Sequence, residues 1–242
     1  MIGPKKPRKR HVQQALVMHG GKRKGSGRKP KGTRAGAEHK KRPKISAKNG
    51  LHVVLRVVPE VGNLRRPQMY AAIRQASIAA AMRERIRIVH VSIQRTHIHM
   101  IVEAENKKVL SRGMQGFQIS AARHVNAALG IPGRPRRGSV FVDRYHLVVI
   151  TSPTQARHAL SYLLNNWRKH AEDRDRPSGL IDRFSSGCSF PDWRELDHAD
   201  LMWKIPPDHD PLVVYRPRSW LLRTGWKLVG SISAREVPGR RR

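Results

Sequence analysis

Between residues 51 and 150 the hydrophobic positions change period several times, and each change predicts an element. Leu51-His52-Val53-Val54-Leu55-Arg56-Val57-Val58 is a short, β-branched run closed by Pro59, which predicts a strand. Pro67 then opens a stretch with Met69, Ile73, Ala76 and Ala80 at i, i+4, i+7 and i+11, the spacing of one helix face. Ile86 to Gln94 predicts a second strand, and Thr96 to Glu103 a third, joined by a hairpin turning near Gln94 to Thr96. From Lys107 to Leu129 the positions Leu110, Met114, Phe117, Ala121, Val125 and Ala128 return to helical spacing. Gly113 and Gly116 weaken that helix and mark either close packing or a bend. A Gly/Pro/Arg loop covers Gly130 to Gly138, and Ser139 to Ile150 predicts one long strand or two short ones.

The resulting order is strand, helix, strand, strand, helix, strand. It predicts an α+β fold of the ferredoxin-like, split β-α-β kind, an antiparallel sheet with helices on one face. The other face of the sheet is then free for a ligand.

The third strand draws attention to that face. With period-two alternation His97, His99, Ile101 and Glu103 share one side, while Ile98, Met100 and Val102 share the core side. The two histidines stand roughly 6.5–7 Å apart at Cα, close enough to converge on one ion or one phosphate. Taken alone, the pair reads sooner as an ordinary polar sheet face than as a metal site. Gln94 and Glu103 lie near it as supporting candidates.

Past Pro153, residues 156–170 form a helix with a sharp polarity split. At about 100° per residue, Ala156, Leu160, Leu163, Leu164, Trp167 and Ala171 fall on one side. Tyr162 falls nearly opposite, flanked by His158, Asn165, Asn166 and Lys169. Asn166 is four residues after Tyr162, so amide and phenol share one patch.

Composition narrows the class of partner. The 242 residues carry 49 Lys and Arg against 17 Asp and Glu, a formal charge of +32. That balance points to a polyanion, with nucleic acid ahead of an anionic membrane. No run approaches the roughly 18 apolar residues of a membrane span, and no apolar signal core follows the basic start. The single cysteine, Cys188, excludes an internal disulfide and a multi-cysteine zinc site. The expected location is cytoplasmic and nucleoid-associated.

Residues 1–50 hold one acid, Glu38, among frequent Lys, Arg, Gly and Pro, which predicts a disordered basic arm. Within it Gly27-Arg28-Lys29-Pro30 is similar to AT-hook arms that enter a narrow minor groove. A non-specific phosphate-binding tail is the other reading of Arg28 and Lys29. Residues 51–175 form the expected core domain and 176–242 an extension of unassigned role. In that extension Ser219 to Val229 reads as a short amphipathic helix, and Cys188 as a packed, idle thiol.

His97-Ile98-His99, followed in order by Tyr162-Leu163-Leu164-Asn165-Asn166, resembles the single-tyrosine HUH transposases. Thr96 to His99, Asp143-Arg144-Tyr145-His146 and Ala159 to Asn166 bring the likeness closer to the REP-associated tyrosine transposases and their insertion-sequence relatives. The likeness covers roughly residues 50–172. It implies a DNA transesterase in which a tyrosine, here Tyr162, attacks single-stranded DNA and leaves a 5′-phosphotyrosyl enzyme and a free 3′-OH. It further implies a divalent metal, Mg or Mn, held by His97 and His99. The family's third ligand is a polar residue four positions after the tyrosine, here Asn166, an amide one methylene shorter than the usual glutamine.

Tyr70, Tyr145 and Tyr215 compete with Tyr162 as nucleophile but read as packing residues or lie outside the likeness. Arg144, His146 and Lys169 are candidate grips on the DNA backbone. The implied partner is single-stranded or hairpin DNA, with a homodimer left open. The alternative function is a non-catalytic basic protein of the same fold that binds nucleic acid without cutting it.

Overall fold

The computed structural model describes residues 43–82, 86–171, 181–195 and 209–239. The arm's residues 1–42, with Arg28 and Lys29, lie outside the described residues. The elements are β1 (Gly50–Arg56), α1 (Pro67–Ala81), β2 (Arg87–Ile93), β3 (His97–Glu103), α2 (Lys107–Leu129), β4 (His146–Ile150), α3 (Pro153–Lys169) and a short α4 (Trp220–Arg223).

Local chemistry explains where the helices begin. Pro67 and Pro153 occupy first-turn positions, where their missing N–H costs nothing. Asn106 caps α2 by accepting from Lys108 and Val109 N–H, and Ser152 caps α3 by accepting from Gln155 N–H.

The four strands pair antiparallel in the order β2-β3-β1-β4, as the split β-α-β reading requires. On one face α1 and α2 bury Met69, Ile73, Leu110 and Phe117 against Leu51, Val53 and Met100. The other face is not open. Val89, Ile101 and Ile150 receive Ala156, Leu160, Leu163 and Leu164 of α3, together with Trp193, Leu222 and Trp226. The reason is the apolar stripe of α3 itself: burying each leucine contributes about 1.5–3 kcal/mol, so the stripe takes the second face of the sheet as its partner. A β-bulge between Ile88 and His90 shifts the alternation of β2, so that Ile88 and Val91, three residues apart, both reach the first core while Val89 joins the second.

Two expectations need correction. Only His146–Ile150 forms the fourth strand, with an isolated bridge between Val57 and Phe141 upstream. Asp143 Oδ1 accepts from the Arg144 N–H, a local bond that breaks the run between them. The helix expected over 219–229 divides into α4 and a 3-10 turn at Gly225–Val229, with the Trp220 ring packed over Gly225.

The segment beyond residue 180 is tied to the domain by polar contacts. Arg65 grips Asp182 through two bonds of 2.8 Å, and the Tyr70 hydroxyl donates to Asp210 O at 2.8 Å. Glu103, proposed above as a neighbour of the His pair, instead accepts from the Arg218 and Ser219 N–H groups at the entry to α4. Among the described residues no helix is long and apolar enough to cross a membrane.

Gly113 resolves in favour of close packing. A Cβ there would stand 2.3 Å from Ile86 Cγ2. Gly113→Ala gains about 1 kcal/mol of helix propensity but overpacks the core at a cost of about 1–3 kcal/mol. The variant is expected to unfold at lower urea concentration than the parent.

His90 generates a pH prediction. It is buried beside Phe190, and the Ser186 hydroxyl, which accepts from the Val91 N–H, shares a hydrogen bond with its Nδ1. Burial lowers its pKa from 6.5 to about 4. Protonation therefore favours the unfolded chain: this stability is fully present above about pH 6.5 and is lost as pH falls toward 4. The full effect is about 3 kcal/mol, at about 1.4 kcal/mol per unit. In urea titrations between pH 7 and 4.5, His90→Asn should show a shallower loss of stability than the parent.

Candidate active site

The site forms where α3 crosses the His-bearing strand. Cα pairing sets Val54 opposite His99 and Arg56 opposite His97, so β1 and β3 contribute to one patch. The rings of His97 and His99 are edge to face with centroids 4.6 Å apart. Tyr162 comes down from α3 with its ring 5.3 Å from that of His99, again edge to face. Lys169, two turns further on, places its ammonium 5.1 Å from the Tyr162 ring centroid.

Asn165 and Asn166 depart from the expected solvated face, for both are fully buried. For Asn165 the reason is the C-terminal segment, which lies along α3. Asn165 donates to Ser233 O at 3.0 Å, Arg168 donates to Ala234 O at 2.8 Å, and Arg157 pairs with Glu236 through bonds of 2.7 and 2.9 Å. Glu195 backs this segment by accepting from the Ser233 hydroxyl and the Ala234 N–H. The tyrosine helix is thus held on both its apolar and its polar sides.

Two residues that the sequence reading passed over belong to the same patch. His52 on β1 lies with its Nε2 at 3.1 Å from His99 Nδ1, the rings stacked at 5.3 Å, and its ring 6.1 Å from that of Tyr162. His170, which caps α3, places its ring 5.9 Å from that of His97. The signal for His52 was available: it falls on the outward side of a β1 strand whose inward side is Leu51, Val53 and Leu55. Only the register connects it to His99.

The electrostatics keep the imidazoles neutral. Burial, reinforced by neighbouring cationic or histidine groups, lowers His97 and His52 to about 4 and His99 to about 2. At pH 7 all three therefore present lone pairs rather than charge, as a metal ligand must. Burial raises the Tyr162 phenol above its usual 10, while the adjoining Asn166 amide favours the phenolate. No hydrogen bond of full geometry forms at either polar atom of that amide, and His99 Nε2 is also buried without a partner. Among the described residues no group of three or more His, Cys, Asp or Glu side chains could hold a metal ion. A metal here would rest on two imidazoles and the Asn166 oxygen, and the unpartnered His99 Nε2 and Asn166 Oδ1 fit such an ion. Each is a buried polar atom whose desolvation a cation would offset.

Beside Tyr162 opens a cleft of about 1160 Å³, whose walls include His52, His158, Arg194 and Arg235. The exposed guanidinium groups of Arg194 and Arg235 and the exposed His158 give it a basic rim. His146 is exposed on β4 and close enough to His52 to depress its pKa. Arg144 belongs to a different cleft, of about 510 Å³, against Ser111, Gln115 and Gln118 of α2. Of the candidate DNA grips, then, Lys169 adjoins Tyr162, His146 adjoins His52, and Arg144 lines the other cleft. Among the competing tyrosines, Tyr70 and Tyr145 are buried and Tyr215 donates to Ala81 O. Burial raises the Cys188 thiol's pKa, so it is no thiolate at neutral pH.

Comparison with known proteins gives concordant results. The family model for IS200-like transposases matches residues 47–166. A REP-associated tyrosine transposase, solved bound to a REP hairpin, superposes at a TM-score of 0.50 with 16% identity, covering 76% of this chain and 100% of its own. A provisionally assigned transposase of Deinococcus radiodurans R1 aligns at 11% identity over 58% of this chain and 98% of its own, with a TM-score of 0.36, and carries no weight here. No curated protein matches the chain. The matched span runs from just before β1 to Asn166 and so contains both histidines, the tyrosine and the helix that joins them: residues 47–166 of this chain belong to the IS200-like transposase family.

Proposed function

We propose that this domain cuts and rejoins single-stranded DNA through a covalent bond to Tyr162. The observation that carries the reading is the convergence of Tyr162 on His99 and His97 across two elements far apart in sequence. The Tyr162 oxygen attacks a phosphodiester; the new P–O bond forms as the bond to the 3′-oxygen breaks. The phenol gives up its proton and the departing 3′-oxygen takes one up, leaving a 5′-phosphotyrosyl link and a free 3′-OH. Attack by another 3′-OH reverses the step, so bond energy is kept and no nucleoside triphosphate is consumed.

A phenol is a poor nucleophile at neutral pH, and the burial of Tyr162 makes it poorer. The residues around it supply part of the remedy. The Asn166 amide favours the phenolate, and Lys169 brings positive charge over the ring, near where a phosphate would lie. His97, His99 and Asn166 are the side chains that would hold a divalent ion, Mg or Mn, which when bound withdraws charge from the scissile phosphate. Substrate reaches Tyr162 through the basic-rimmed cleft, whose Arg194 and Arg235 suit the sugar–phosphate chain. The hairpin held by the structurally similar REP transposase supports hairpin-flanked single strands as the substrate class, and the net charge of +32 supports a nucleic-acid partner of some length.

The test uses end-labelled single-stranded oligonucleotides carrying inverted repeats that flank the coding sequence, with Mg or Mn. The parent is expected to form a covalent adduct retaining the label on the 3′ side of the cut, and Tyr162→Phe none. Equal adduct from Tyr162→Phe would remove Tyr162 from the mechanism.

The metal requirement is tested separately. Chelation, or the double change His97→Ala and His99→Ala, should abolish the adduct. In the chelated parent added Mn should restore it; in the double variant it should not. An adduct insensitive to chelator would remove the metal from the reading.

A further inference from the structure

The contact between His52 and His99 has a part to play that the reading above does not use. His99 meets His52 Nε2 through its Nδ1 at 3.1 Å, and its own Nε2 is buried with no partner. A hydrogen bond between two imidazole nitrogens needs one N–H and one lone pair, so two arrangements exist. If His52 donates, His99 must carry its proton on Nε2, where it is a buried donor with nothing to accept it, and no lone pair faces a metal. If His99 donates from Nδ1, the lone pair sits on Nε2, where nothing in the chain meets it but a cation can. A metal-binding imidazole generally uses its second nitrogen in this second way, donating to an acceptor that fixes its tautomer and raises its basicity.

We propose that His52 is a positioning residue: by accepting the His99 Nδ1–H it fixes the tautomer that leaves the His99 Nε2 lone pair bare. This rests on the metal reading for the use made of that lone pair, but the tautomer itself is a property of the metal-free chain. The acceptor is unusual in kind, an imidazole where a carboxylate or carbonyl oxygen commonly serves. Its placement has a second effect. The same His52 ring meets Tyr162 edge-on at 6.1 Å and lines the cleft beside it. One side chain on β1 therefore stacks on the histidine and flanks the tyrosine, setting the separation between the two halves of the site.

The experiment has two arms on the full-length protein. In the first, long-range 1H–15N correlation on the metal-free protein, assigned with His99→Gln, reads which ring nitrogen of His99 is protonated. The Nδ1–H form is expected in the parent, with a shift toward Nε2–H in His52→Phe, which fills the same space without an acceptor. In the second, electron paramagnetic resonance titration of free Mn reads affinity without DNA. His52→Phe should weaken Mn binding about 10- to 100-fold, and His52→Gln, whose amide oxygen can accept, should recover most of it. Circular dichroism melting should show all three proteins folded.

An Nε2–H tautomer in the parent overturns the proposal whatever the metal does. So does unchanged Mn affinity in His52→Phe when the parent binds Mn. If the parent shows the Nδ1–H tautomer and His52→Phe loses it, but the parent binds no Mn, the role of His52 is upheld and the metal reading of the site fails instead; a tautomer unchanged in His52→Phe overturns the proposal.

Discussion

The burial of the α3 apolar stripe against Val89, Ile101 and Ile150 is the contact on which the rest of the site depends. A four-stranded sheet with two helices on one face has a second hydrophobic face that water must not reach, and α3 covers it. Because Leu160, Leu163 and Leu164 are fully seated, the helix cannot roll without exposing several kcal/mol of apolar area. Its rotation then determines where Tyr162 goes. One turn of error would carry the phenol away from His99; the packed stripe prevents it.

The polar side of α3 is held as firmly by different chemistry. Arg157, Asn165 and Arg168 each bond to residues between Ser231 and Glu236. Glu103 anchors the entry to α4 by capturing two backbone N–H groups. The residues beyond 180 thus act as the outer wall of the tyrosine helix. Among them Arg194, Ser233 and Arg235 also wall the cleft beside Tyr162, so the same described residues hold the tyrosine helix and shape the approach to it.

Much of this was legible in sequence, and the parts that were not share a cause. Helix and strand periods, the helix-opening prolines and the alternation of β3 are local signals, and they located α1, α2, β2 and β3 closely. The position of Tyr162 opposite the leucines of α3 was also local. What escaped was everything carried by pairing between distant residues. His52 gains meaning only from the β1–β3 register, which sets its ring beside that of His99. Asn165 read as solvated because the carbonyl that receives its amide, that of Ser233, lies 68 residues away. The sheet face read as open because the helix that covers it follows the last strand, outside the repeating pattern. Glu103 alternates onto the same face as the histidines, yet at the strand's end it meets backbone donors instead.

The strap between Ser231 and Glu236 has a consequence for how the molecule comes into being. During synthesis the sheet, the histidines and α3 are all complete well before those residues exist. A growing chain can hold Tyr162 near His99 while Arg157, Asn165 and Arg168 still lack the groups they will bond to. The loop closures involved span 66–79 residues, and such long-range contacts are slow to form. The final setting of Tyr162 therefore comes late. For most of its own translation the chain holds the parts of the candidate site without the strap that fixes them.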